Sequence, residues 1–396
     1  MTRKLGRIGV HVDVFTRSQD EHVPHVLHDL GYGNRVVHIP AGPEVPLLKP
    51  ELAAHIPKFV EGILKFAEVK GVHYDLIHSH YWMSGIAAID LQAVWNIPVV
   101  HMFHTLGLMK QRIARAPHES EGDYRIQGER EVLKLADRII AATPAEMAQL
   151  QWLYDTDQTK ITIIPPGVDI SHFYPIPSDE AKEFIGIPTD DRMMLFVGRI
   201  EPLKGVDTLI QAISLIRQNG ALDHHCCLCV SIIGGEPNAG PKIRTDEMTR
   251  LQQLSDQQGL DDLVTFLGRR GQDTLPYYYS AADVVVMPSH YESFGMVALE
   301  AMSCGTPVIA TQVGGLAFLV QDGVTGFHIP VDDPDALADR LVKILDDQEL
   351  RNQMSQQAVE IAQNYAWEKI AASMSTLYQE VLDREKSKSI HIEPVH

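Results

Sequence analysis

Cysteine is scarce, with four among 396 residues. That count excludes a disulfide-stapled secreted scaffold and fits a reducing compartment, so a cytoplasmic location is expected. Three of the four, Cys226, Cys227 and Cys229, fall in the stretch HHCCLCV, which invites a zinc reading. The stretch runs on into SIIGG as an apolar strand, however. Neighbours on a strand point to opposite faces, and no second ligand pair has finger spacing, so no metal site is expected. Long apolar runs are also missing: none reaches about 18 residues, which excludes a transmembrane helix of ordinary composition. The apolar positions after Lys4 are interrupted by Arg7, His11 and Asp13, so no signal peptide is expected. Positive charge is in deficit, with 34 Lys and Arg against 52 Asp and Glu, a formal net charge of −18. A general nucleic-acid binder needs a basic face, so no nucleic-acid partner is expected. Low-complexity tracts and short-period repeats are absent as well.

What is present is a chain long enough for two domains, with the 45% hydrophobic content of an ordinary globular protein. Short apolar runs alternate with stretches of helical period, the pattern of parallel sheets covered on both faces. Strands are expected at Val10–Thr16, Arg35–Ile39, Asp75–His80, Pro98–His104, Asp137–Thr143 and Ile161–Ile164. A second series follows at Met193–Gly198, Cys226–Gly234, Val264–Leu267, Ala282–Pro288 and Val308–Thr311. Helices are expected at Ile56–Val69, Glu129–Ala136, Val206–Gln218, Thr245–Gly259, Pro334–Asp346, Gln348–Gln363 and Trp367–Asp383. Residues 171–179, rich in proline and acid, read as a linker. The expected domains are 1–175 and 176–366, with 386–396 as a loose tail. The opening is unusual. Thr2–Leu5 reads as the end of a helix, whereas a doubly wound domain opens with a strand and a glycine-bearing loop. The first domain is therefore expected to lack its first strand.

The stretch His290–Pro307, HYESFGMVALEAMSCGTP, places a loop and a helix between two apolar strands. Gly305 stands where a left-handed residue would end the helix. A helix N-terminus after a strand is an anion site, because its first amides lack partners and the dipole favours negative charge. Glu292 and Glu300 would add nothing for phosphate but can accept hydrogen bonds from hydroxyls. Together these features fit a nucleotide-sugar. An ordinary helix with solvated glutamates fits the bare spacing equally well. Arg199 and Lys204, in RIEPLKG after an apolar strand, could neutralise a departing diphosphate; a solvated loop is the bland alternative. Arg269 and Arg270 follow another strand. Most of the 19 histidines, His101 included, read as hydrogen-bonded core or surface groups.

The E-x7-E spacing of Glu292 and Glu300, with Gly314–Gly315 and GVTGF downstream, resembles the signature of family 4 retaining glycosyltransferases. The resemblance extends over nearly the whole chain. It implies the GT-B fold: two Rossmann-like α/β domains facing a cleft, with the helix Trp367–Asp383 crossing back onto the first. It implies a UDP-sugar as co-substrate and no cofactor, with cationic side chains doing the work a metal would do. It implies that Arg199 and Lys204 hold the diphosphate and Arg270 belongs to the donor site. Phe294, Gly295, Met296 and Val297 would offer amides to the distal phosphate, Glu300 would bind the ribose, and Glu292 the transferred sugar. The mechanism implied is same-face displacement.

In the first half, AGPEVPLLK (Ala41–Lys49), DLIHSHYWMSG (Asp75–Gly85) and HTLGLMK (His104–Lys110) are similar to motifs of the D-inositol-3-phosphate branch of that family; sucrose-phosphate synthases share the frame. By this resemblance Lys49, Tyr81, Thr105 and Arg125 grip the phosphate of a small acceptor such as inositol phosphate, and His104 faces the transferred sugar. Around Arg125 the chain reads EGDYRIQGERE, where the family pattern is richer in E-A-R-R. A homodimer is compatible with the resemblance. The rival of another class is a non-catalytic nucleotide-sugar binding protein.

Overall fold

The structure, a computed structural model, describes residues 1–113, 122–221, 227–235 and 246–390. Of the cysteine-rich stretch, His224, His225 and Cys226 lie outside the described residues, as do the tail histidines His391 and His396. The chain divides into two compact units. One is Met1–Pro165 with the helix that begins at Trp367, and the other is Pro166–Ala366.

Among the described residues the second unit holds six strands: β8 (Arg192–Val197), β9 (Leu228–Ile233), β10 (Val264–Gly268), β11 (Val284–Met287), β12 (Val308–Thr311) and β13 (Gly326–Ile329). Their order is β10-β9-β8-β11-β12-β13, and every pairing is parallel. Strands β11 and β12 are buried throughout and β8 at all but its first residue, as a sheet covered on both faces requires. The helix Val206–Gln218 shows how the covering works. Leu209, Ile210, Ile213 and Ile216 recur on one stripe, and all are buried. Each such side chain is worth about 1.5–3 kcal/mol over leaving it exposed. Sequence order reverses direction across β8 and β11, so the loops leaving these two strands lie side by side at the carboxyl edge.

The first unit holds β1 (Asp13–Arg17), β2 (Val26–Leu27), β3 (Arg35–Ile39), β4 (Ile77–His80), β5 (Val99–Met102), β6 (Arg138–Ala141) and β7 (Ile161–Ile163). They form two sheets, ordered β1-β3-β2 and β4-β5-β6-β7. Strand β1 therefore has an unpaired edge, as does β4, among the described residues. Tyr74, just ahead of β4, donates its hydroxyl to Asp13 at the head of β1 (2.6 Å), yet no ladder joins the two strands. All five residues of β1 are only half-buried, unlike a central strand of a doubly wound sheet. The sheet of this unit is thus interrupted between β1 and β4 among the described residues.

Some boundaries move. The helix expected from Glu129 begins at Asp123, whose acid suits the positive first turn, and so takes in Arg125. Lys49 opens a short helix, Lys49–Ala53, in which Pro50 is well placed in the first turn. The last helix runs Trp367–Ile390, so Lys386 to Ile390 are helical and not a loose tail; no glycine or proline interrupts them. A helix at Ser178–Ile185 begins inside the stretch read as linker. The helices Trp82–Trp95 and Asp123–Leu135 touch at small residues: a Cβ on Gly128 would lie 2.7 Å from the Trp82 ring.

Histidines crowd the core of this unit. The His78 and His80 rings stack at 4.2 Å, His78 shares a 2.6 Å hydrogen bond with the Tyr378 hydroxyl, and His101 shares one of 2.8 Å with Ser79. Burial holds the pKa of His78 and of His101 well below the usual imidazole value, with neighbouring histidines adding to the effect. Glu146 acts oppositely, since burial pushes it up to about 7. The unfolded chain binds protons at His78 and His101 below about pH 6.5 while the folded chain does not, so their contribution to stability is lost as pH falls through that value. The unfolding midpoint of His101→Leu should therefore fall less steeply than that of the wild type between pH 7.5 and 5.5. An unchanged slope in thermal melts would contradict this origin.

Candidate functional site

In the second unit, the loop after β8 turns through Pro202–Lys204 into the helix Val206–Gln218. Gly205 makes the turn possible. Its φ of +63° is left-handed, and a Cβ there would meet the Pro288 carbonyl oxygen at 2.1 Å. The His290 amide donates to the Leu203 carbonyl (2.9 Å), which docks this loop on the chain leaving β11. Lys204 Nζ then reaches Glu292, donating to Oε2 at 2.6 Å across 88 residues of sequence. Both side chains are largely enclosed, at 17% and 15% exposure. Arg199 is different: its side chain is largely exposed and its guanidinium pairs with Glu201 at 2.7 Å. Of the two cations expected from the sequence, Lys204 is the one held in place.

The chain from Glu292 to Val297 is braced from behind. The Gly315 amide donates to the Glu292 carbonyl (3.0 Å), and a Cβ on Gly315 would lie 2.3 Å from the Phe294 Cα. The helix Met296–Ser303 starts at Gly295, and the amides of Phe294, Gly295, Met296 and Val297 make no backbone hydrogen bond among the described residues. Glu300 lies one turn further in, 9% exposed, and accepts the Tyr279 hydroxyl at 2.8 Å on Oε2. Burial raises the Glu300 pKa, and the Tyr279 hydrogen bond works against that rise. Arg270 donates from Nε to the Tyr278 hydroxyl (2.9 Å). The adjacent tyrosines thus orient two residues expected from the sequence, although nothing in the sequence marked either tyrosine.

In the first unit a second set gathers at the ends of β4 and β5. Tyr81 and His104 follow these strands with φ of +70° and +65°, a strained conformation for residues with side chains. His80 Nδ1 and His104 Nε2 share a 2.9 Å hydrogen bond. Burial pushes His80 down to about 4, and the neighbouring His104 adds to this. The Tyr81 ring carries two cations, Lys49 Nζ 5.8 Å and Arg125 Cζ 5.1 Å from its centroid. Arg125 Nη2 donates to the Thr105 carbonyl (2.7 Å) and hydroxyl (3.0 Å). The four residues Lys49, Tyr81, Thr105 and Arg125 therefore form one cluster. Arg125 is fully buried and paired with Glu129 (2.8 Å), so it stands behind Thr105 as part of the wall. The i, i+4 spacing of Arg125 and Glu129 was the available sign of that pair.

The first 172 residues match the model of Glycosyltransferase Family 4, and residues 177–360 that of Glycosyl transferases group 1. The chain is 37% identical over 391 residues to the D-inositol 3-phosphate glycosyltransferase of Saccharomonospora viridis, covering 98% of this chain and 89% of that one. It is 38% identical to the protein of the same name from Actinosynnema mirum, with coverage of 96% and 90%. Among solved structures, the sucrose-phosphate synthase of Thermosynechococcus elongatus superposes with a TM-score of 0.85 at 34% identity, covering 97% and 92% of the two chains. Anabaena HepE, solved with UDP and glucose, has a TM-score of 0.70 at 22% identity over 88% and 87%, a likeness of fold.

Removing the Tyr279 hydroxyl takes away the contact that holds the Glu300 pKa down, so in Tyr279→Phe the carboxylate is harder to keep charged. A raised folded pKa means stability lost as pH rises through it. Tyr279→Phe should cost about 1–3 kcal/mol with Glu300 ionised, and the gap from wild type should shrink on acidification to pH 4.5. A gap independent of pH in denaturant titrations would exclude this coupling.

Proposed function

The chain belongs to the glycosyltransferases of family 4 and group 1, and from that premise we propose that it moves a sugar, with retention, from a UDP-sugar to a hydroxyl of a small phosphorylated acceptor such as inositol phosphate. The observation that carries this reading is the convergence, at the carboxyl ends of β8 and β11, of Lys204, Glu292, four amides free of backbone partners and the enclosed Glu300. Amides and a lysine suit phosphates, and carboxylates suit hydroxyls. The first-unit cluster supports a phosphorylated acceptor. In a protein of net charge −18, Lys49 beside the Tyr81 ring suits a place where something negative binds. The inositol and sucrose relatives named above both carry phosphate in the compounds they are named for.

In the proposed reaction the bond between the sugar's anomeric carbon and the β-phosphate oxygen breaks, with the electron pair leaving on oxygen. The acceptor hydroxyl forms its bond on the same face and its proton passes to that phosphate oxygen. Lys204 and the helix amides stabilise the developing charge, with Arg199 joining from its exposed position. Glu300 takes the ribose hydroxyls through Oε1, since Oε2 is used by Tyr279. Glu292 takes the sugar hydroxyls. These cations supply the electrostatic role that a metal would otherwise fill, and the reaction would take place in the cytoplasm. No helix among the described residues is long and apolar enough to cross a membrane.

A donor-by-acceptor panel read by product mass tests the proposal. UDP binding without any transfer product would favour a nucleotide-sugar binding protein instead. Lys204→Ala should lower turnover about 10²–10³-fold. Glu300→Ala should weaken binding of UDP itself, whereas Glu292→Ala should spare UDP and weaken the sugar-linked donor. Equal loss of UDP affinity in the two glutamate variants would overturn that division of labour.

A further inference from the structure

We infer that Glu129 and Tyr154, neither of which belongs to the candidate site, are positioning residues that set the acceptor loop following β5. The inference rests on the reading of Lys49, Tyr81 and Thr105 as the acceptor's phosphate site. The loop leaves β5 through His104, whose φ of +65° is strained, and must then present Thr105 in one place. The helix that follows is described over Gly107–Ile113. One carboxylate ties the loop down. Both oxygens of Glu129 accept the Gly107 amide, at 2.9 and 3.0 Å. Oε1 also accepts Arg125 Nε (2.8 Å), and Oε2 accepts the Tyr154 hydroxyl. That hydroxyl in turn accepts the Leu108 amide (3.0 Å). Arg125 completes the circuit by donating to the carbonyl and hydroxyl of Thr105.

Arg125 and Glu129 are fully buried and Tyr154 is nearly so, which makes this a closed polar network in the core of the unit. A buried ion pair gives little net stability over an apolar filling, because both charges are taken out of water. Its physical effect is directional: it fixes the Thr105 carbonyl and hydroxyl and the amides of Gly107 and Leu108. Gly107 admits no side chain here, since a Cβ would lie 2.9 Å from Glu129 Oε2. Tyr154 is the last residue of the helix Pro144–Tyr154, and its hydroxyl is what meets the polar groups of the loop.

Tyr154→Phe removes that hydroxyl and keeps the ring on which Arg130 lies (5.5 Å). The test measures wild type, Tyr154→Phe, Glu129→Gln and Lys49→Ala with UDP-glucose or UDP-N-acetylglucosamine as donor and D-inositol 3-phosphate or fructose 6-phosphate as acceptor, at a temperature where all are folded. Tyr154→Phe should raise the acceptor KM about three- to tenfold, the scale of one hydrogen bond, and leave the donor KM unchanged. Glu129→Gln, which keeps an acceptor oxygen, should behave alike and provides the same readout should one variant fail to fold. A purely structural staple would lower the melting temperature and leave both KM values as they are, and that result would overturn the inference. If Lys49→Ala raises the acceptor KM and neither network variant does, the inference fails while the acceptor reading stands. If Lys49→Ala has no effect, or wild type uses neither acceptor, the acceptor reading itself fails and takes the inference with it.

Discussion

Parallel pairing of strands is the constraint from which both candidate sites follow. A parallel ladder forces every connection to return across a face of the sheet, so all the loops leaving carboxyl ends collect at one edge. In the second unit β8 has β9 on one side and β11 on the other, and the chain winds away from it in both directions. The loops after β8 and β11 are therefore neighbours although 88 residues separate Lys204 from Glu292. Local chemistry then completes what topology begins. Gly205 lets the first loop press against Pro288, and Gly314–Gly315 let another turn press against Glu292 and Phe294. A side chain at any of these glycines would push a loop of the candidate site out of register.

Much of the fold was legible because burial and period coincide. Strands such as Val308–Thr311 and helices such as Val206–Gln218 and Pro334–Asp346 lie where the sequence pattern places them, since their apolar residues form one unbroken face. The helix Met296–Ser303 starts and stops at Gly295 and Gly305, both with positive φ, as the motif suggested. What was not legible is pairing at long range. Tyr278 and Tyr279 sit in an apolar stretch with no signal of their own, yet they orient Arg270 and Glu300. The helix bearing Arg125 was read as starting later because its first turn is polar and exposed, which hid the burial of Arg125 further along the same helix.

The two units handle fixed charge differently, and exposure is what separates them. In an acidic chain, an enclosed cation without a counter-charge would be costly, and each unit supplies a carboxylate: Glu292 for Lys204 and Glu129 for Arg125. The Arg125–Glu129 pair has no solvent contact to speak of, and its carboxylate is bound at the same time by Gly107 and Tyr154. Losing that carboxylate would strand several donors, each at a cost of about 1–3 kcal/mol. Such a pair is permanent, and its effect is geometric. The Lys204–Glu292 pair keeps 17% and 15% of its side-chain surface open. No other hydrogen bond fixes the Glu292 carboxylate among the described residues. In the proposed reaction a phosphate takes the lysine while the glutamate turns to hydroxyls, so that no buried charge is left alone. On that proposal the same type of contact is scaffold in one unit and exchangeable in the other, and the difference lies in how many further donors the carboxylate must satisfy.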